Sequence, residues 1–184
     1  MRHAPLSVKR IQSSLRAYAF NRDGAAAAEF ALVLGFLLIP LLNAADFGIY
    51  AYQAMELNDA AQSAAEAALV TCSNENTLPA TLNCSGLSNA VTTAAQSTSL
   101  GSSVTITATT EKYYCPNSSG VLVAAGTLDN PPADCSTVNP ASTDTPGDYV
   151  LITASFTYNP LFSGVSLASL FTTPITQTVW MRLA

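Results

Sequence analysis

Three hydrophobic patterns follow one another along the chain. Ala25–Ala45 is apolar apart from Glu29, Gly35, Pro40 and Asn43, and its 21 residues would span about 31 Å as a helix, one hydrocarbon core. Pro40 bends or opens such a helix, which membranes tolerate where neighbours satisfy the freed carbonyl. From Asp46 to Val70 nothing breaks a helix. Phe47, Tyr50, Ala54, Leu57, Ala61, Ala64 and Ala68 recur at intervals of three and four, a seven-residue repeat. Gln53, Glu56, Asp59, Gln62, Ser63 and Glu66 occupy the other faces. Alanines at the repeat let another element approach closely. The expected partner for this outer half is the protein's own sheet.

Beyond Val70 the pattern weakens. Ser85–Gln96 predicts a second helix, with Leu87, Val91, Ala94 and Ala95 on one side and Ser85 as its cap. Period-two alternation then predicts three strands. In residues 103–113 Val104, Ile106 and Ala108 share a face; in 148–158 Val150, Ile152, Ala154, Phe156 and Tyr158 do; in 173–183 Ile175, Val179, Met181 and Leu183 do. Leu161–Phe171 reads equally as a short helix or an apolar loop. A sheet buried on one side and packed on the long helix makes an α+β head.

Charge divides the chain again. Only 10% of residues are charged, against a usual ~25%. Five of the seven basic residues, Arg2, Lys9, Arg10, Arg16 and Arg22, lie in the first 24 residues, which carry a formal +4; residues 25–184 carry −9. The acidic balance argues against nucleic acid as a partner. The basic flank puts the N-terminus in the cytoplasm and the rest outside. A cleaved secretory signal is the competing reading, but Glu29 interrupts the apolar run and Leu42–Ala45 makes a poor cleavage site.

The one histidine, His3, lies in the basic head, which leaves the remainder without the base of Ser/His/Asp or Cys/His chemistry and without histidine-rich metal sites. No catalytic residue, metal or cofactor is therefore expected. Cys72, Cys84, Cys115 and Cys135 lack zinc-type spacing and fall on the outer side. Disulfides follow, with three pairings open; spacing favours Cys72 with Cys84 and Cys115 with Cys135. Asp129, Asp134, Asp144 and Asp148 are read as a solvated, turn-rich loop in preference to a calcium site. The outer region has few charges, and the 39 serines and threonines of the chain wet its surface instead.

Glu29 stands out, because a carboxylate inside a spanning helix costs about 2.5–3.5 kcal/mol on insertion scales and is usually paired or functional. The string Arg22-Asp23-Gly24, then Ala25-Ala-Ala-Ala-Glu29-Phe30-Ala-Leu-Val-Leu, resembles the processing site of TadE-like minor pseudopilins of the tight-adherence (Flp, type IVb) pilus system. The continuation from Asp46 to Gln53 and the alanine-rich stretch after it resemble that family too, so the likeness covers residues 22 to 70. Two departures are Asp23, standing between Arg22 and the glycine, and Gly35.

The resemblance implies a pilin-like α+β fold and cutting by a prepilin peptidase after Gly24, with Glu29 and Phe30 at the fifth and sixth positions beyond the cut. It implies a basic leader, 1–24, removed; a transmembrane half-helix, 25–45; an outer half-helix, 46–70; and an extracytoplasmic head, 71–184. It further implies single-pass residence in a bacterial inner membrane with the head in the periplasm, and as partners the peptidase, other pilins or pseudopilins and the pilus assembly platform. Cutting before Ala25 creates an ammonium that Glu29 can pair with, in its own chain or a neighbour's. The alternative is an adhesin-like binding module on an uncleaved anchor.

Overall fold

The computed structural model describes residues 22–171 and 173–184. The basic leader expected over residues 1–24 lies, through Asn21, outside the described residues. The chain divides into two compact units between Ala45 and Asp46.

The first helix, α1, runs Arg22–Cys72 with Pro40 inside it. Up to Ala45 it packs on no other described residue of its own unit: Phe30, Leu32, Val33, Phe36, Leu37, Ile39 and Leu41, which lie all around the axis, are exposed. A helix apolar on every side is suited to lipid and not to water, and this is the one helix among the described residues long and apolar enough to cross a membrane. Asn43, the polar residue of its second half, donates from Nδ2 to the Ile39 carbonyl at 2.9 Å, so its amide is partly satisfied within the helix.

In the second unit α1 continues from Asp46 and then buries one stripe. Leu57, Ala60, Ala61, Ala64, Ala65, Ala68 and Cys72 have no exposed surface. The stripe is wider than the expected seven-residue seam, taking in Ala60 and Ala65, while Phe47 is half exposed. A helix lying on a sheet buries a broad face with a period of 3.6, where a coiled-coil seam buries only two positions in seven. Two short helices follow, α2 (Ala80–Asn83) and α3 (Leu87–Ala95). The expected cap Ser85 does not cap α3; Gly86 stands at that position with no side-chain bond. A Cβ on Gly86 would meet Thr71 Cγ2 at 3.2 Å, so the glycine lets the start of α3 lie tight against the end of α1.

The strands are β1 (Thr105–Pro116), β2 (Leu122–Ala124), β3 (Gly147–Phe156) and β4 (Ile175–Arg182). They form one antiparallel sheet in the order β2-β1-β3-β4. Val150, Ile152 and Ala154 of β3 and Ile175 of β4 share one buried cluster with the α1 stripe and with Val91 and Ala95 of α3. The β1 pattern departs from expectation. Ile106 pairs with Ala154 and Ala108 with Thr153, an irregularity that inserts Thr107. One extra residue reverses the phase of the strand, so Ala108 is exposed and Glu111 buried. Strand β2 was not foreseen, being three exposed residues held by pairing alone. Leu161–Phe171 is turns followed by a 3-10 helix, Leu167–Leu170.

Disulfides join Cys72 to Cys84 and Cys115 to Cys135. The first ties the end of α1 to the chain entering α3. The second forms a small separate core with Ala125, packed by Val138.

Candidate processing and assembly site

Gly24, Ala25, Glu29 and Phe30 occupy the first turns of α1, all exposed. Among the described residues nothing lies within 4 Å of where a Cβ on Gly24 would stand. Ala25 and Glu29 are four residues apart and therefore share a helix face, about 6 Å apart along the axis. Phe30, 66% exposed, opens the apolar run on the adjoining face.

The second unit begins with a residue that sequence reasoning treated only as the end of the apolar stretch. Asp46 is fully buried. Its Oδ1 accepts from the Tyr158 hydroxyl at 2.6 Å and from the Leu161 amide at 3.0 Å, and its Oδ2 accepts from the Ser166 hydroxyl. Burial pushes the Asp46 carboxyl up, but the bonds from Ser166, Tyr158 and Leu161 together outweigh it and leave the group below its ordinary value. Tyr158 is pushed up to about 12, by burial first and then by its bond to Asp46 and that group's charge. Rings close over this bond: Tyr50 stands edge-on to Tyr158 at 5.1 Å and stacks on Phe171 at 5.0 Å, and Phe171 meets Phe47 at 5.7 Å. The cue in the sequence was an acid directly after an apolar run, a place where exposure is the default expectation.

Two further carboxylates missed by sequence reasoning lie inside the head. Glu111 accepts from the Ala80 amide at 2.6 Å and from the Thr81 amide and hydroxyl at 2.7 and 2.6 Å, so it caps the entry to α2. Asp148, expected in a solvated loop, is 2% exposed at the start of β3, and neither of its oxygens accepts from a donor among the described residues. In the β1–β3 register Glu111 faces Val150 and Tyr113 faces Asp148, which sets the two carboxylates diagonally on one face. Burial, and after it the neighbouring Glu111, pushes the Asp148 carboxyl up to about 7. Once protonated, Asp148 can donate to Glu111.

Two of the other loop aspartates, Asp134 and Asp144, make local turn bonds. Asp134 accepts from the Ser136 amide at 3.0 Å, and Asp144 accepts from the Ser142 hydroxyl at 2.8 Å. Among the described residues no three His, Cys, Asp or Glu side chains gather as metal ligands.

No curated protein and no solved structure matches the chain. The family model described as TadE-like protein matches residues 24–70, beginning at Gly24 and ending within α1. Residues 24–70 are therefore similar to TadE-like proteins.

Proposed function

We propose that this protein is a minor pseudopilin: an inner-membrane component of a type IVb pilus, cut by a prepilin peptidase after Gly24 and incorporated by helix packing, with its head in the periplasm. The observation that carries the reading is the start of α1, where an exposed Gly24-Ala25 peptide, Glu29 and Phe30 lie in the first turns of a helix whose apolar side chains up to Ile39 are exposed.

The chemistry follows from that order of residues. Cutting after Gly24 leaves an α-ammonium on Ala25, one helical turn from Glu29 and on its face. Either partner alone is costly in lipid, and together they offset part of the penalty. A neighbouring subunit's ammonium serves equally well, which makes Glu29 a means of setting register between packed helices. The outer half of α1 spends its alanine stripe on its own sheet, so the contacts between subunits fall to the membrane half.

N-terminal sequencing of the mature protein tests this. A start at Ala25 is expected; a start at Met1 or Asp46 overturns the reading. Glu29→Ala should enter the membrane yet assemble poorly, and normal pilus assembly by that variant would remove Glu29 from the mechanism.

A further inference from the structure

We propose that the loop between β3 and β4, Leu161–Phe171, is a second membrane contact that dips into the interface of the bilayer. The inference rests on the reading of Ala25–Ala45 as a membrane span. Its starting point is Asp46, the first residue beyond that stretch, whose buried carboxylate holds the loop at two places, the Leu161 amide and the Ser166 hydroxyl. Asp46 follows Ala45 directly in the chain, so the loop is tied to the first residue after that stretch.

The loop's surface suits lipid. Leu161 is 63% exposed and Leu170 80%, with Phe171 and Phe47 half exposed alongside. Phe47 and Phe171 are in ring contact, so the patch is continuous with the first residues after the span. No charged residue occurs from Tyr149 to Met181, so inserting the loop requires no charge to be desolvated. The loop's own bonds limit the backbone cost: Val165 and Ser166 amides donate to the Phe162 carbonyl at 3.1 Å, and the Phe171 amide to the Ala168 carbonyl at 3.1 Å. Tyr50 and Tyr158 pack behind it, at the level where aromatic rings concentrate in membrane proteins. Such a patch standing free in water would be an aggregation hazard; at the interface its burial is favourable.

The single tryptophan, Trp180, provides the test. The full chain is reconstituted into phosphatidylcholine vesicles containing lipids brominated at shallow chain positions. Trp180 lies five residues along β4 from Ile175, about 16 Å from the loop end of that strand, and serves as the head reference. Leu170→Trp and, as a second loop position, Leu161→Trp are made in a Trp180→Phe background, and Phe36→Trp in the same background marks the span. The expected result is loss of emission with a blue shift at both loop positions and at residue 36, and little change at Trp180. Unquenched loop positions with residue 36 quenched overturn the proposal and leave the anchor standing. Residue 36 unquenched overturns the anchor and the proposal with it. Equal quenching at Trp180 overturns it in favour of a head lying flat on the bilayer. A loop blue shift that ignores bromine and grows with the protein-to-lipid ratio overturns it in favour of contact between copies.

Discussion

The hydroxyl of Tyr158 donates to the carboxylate of Asp46 at 2.6 Å, across 112 residues of chain and without exposure to water on either side. It joins the point where α1 enters the head to the residue that follows the central strand β3, so the base of the head is closed by one charge-assisted bond. Tyr158→Phe leaves the carboxylate buried with one donor fewer and is expected to destabilise the head by about 1–3 kcal/mol, read by thermal melting. The Asp46 carboxyl is held below its ordinary value of 3.8, so its contribution is present above that pH and is lost as pH falls from there through the lower folded-state value. The same melt repeated from pH 6 down to pH 3 should show the loss in the native chain and a smaller one in Tyr158→Phe.

Asp148 predicts the opposite slope. Its carboxyl is raised from 3.8 to about 7, so between those values the native state binds the extra proton and stability falls as pH rises. Asp148→Asn keeps the shape and removes the charge. Head stability at pH 8 should rise by about 1–3 kcal/mol, and the decline between pH 4 and 7 should flatten. A variant less stable than the native chain at pH 8 would mean that the carboxylate has a partner when ionised.

The two disulfides should differ in reach. Cys72 belongs to the main core and closes the turn from α1 to α3, whereas Cys115 and Cys135 form a minor core with Ala125. Replacing Cys72 and Cys84 with serine is expected to lower the stability of the whole head by about 2–4 kcal/mol. Replacing Cys115 and Cys135 should chiefly speed amide exchange between residues 117 and 146 while the β3 and β4 amides stay protected. Uniform loss of protection in both variants would refute the distinction.

Ala64 lies in the middle of the buried stripe with no exposed surface. Ala64→Leu forces three additional heavy atoms of branched side chain into the buried stripe and should cost about 1–3 kcal/mol. Ala31→Leu, at an exposed position of the membrane half, should leave head stability unchanged. Equal effects would mean that the alanine seam of the head is not its own core.

Local rules governed what could be read early. The apolar run, the alanine face of α1, the alternation in β3 and β4 and the cysteine spacing each depend on neighbours within a few residues, and all of them reappear in the structure. Where a single event changed phase, the reading failed. The extra residue at Thr107 turned Ala108 out and Glu111 in, and no periodicity argument foresees an insertion. Gly86, and not Ser85, stands at the cap of α3, where a Cβ would meet Thr71, fifteen residues earlier.

By itself the sequence determined the division of the chain: a basic head, an apolar segment suited to lipid, a helix with one small-residue face and an oxidised, hydroxyl-rich α+β head. These follow from composition and period, which need no knowledge of what meets what. Only the tertiary structure decided the fate of Asp46, Glu111 and Asp148. An acidic residue reads as solvent-facing until its surroundings are known, because burial of a carboxylate is set by donors far away in the chain: Tyr158, Leu161 and Ser166 for Asp46, Ala80 and Thr81 for Glu111, and for Asp148 no donor among the described residues.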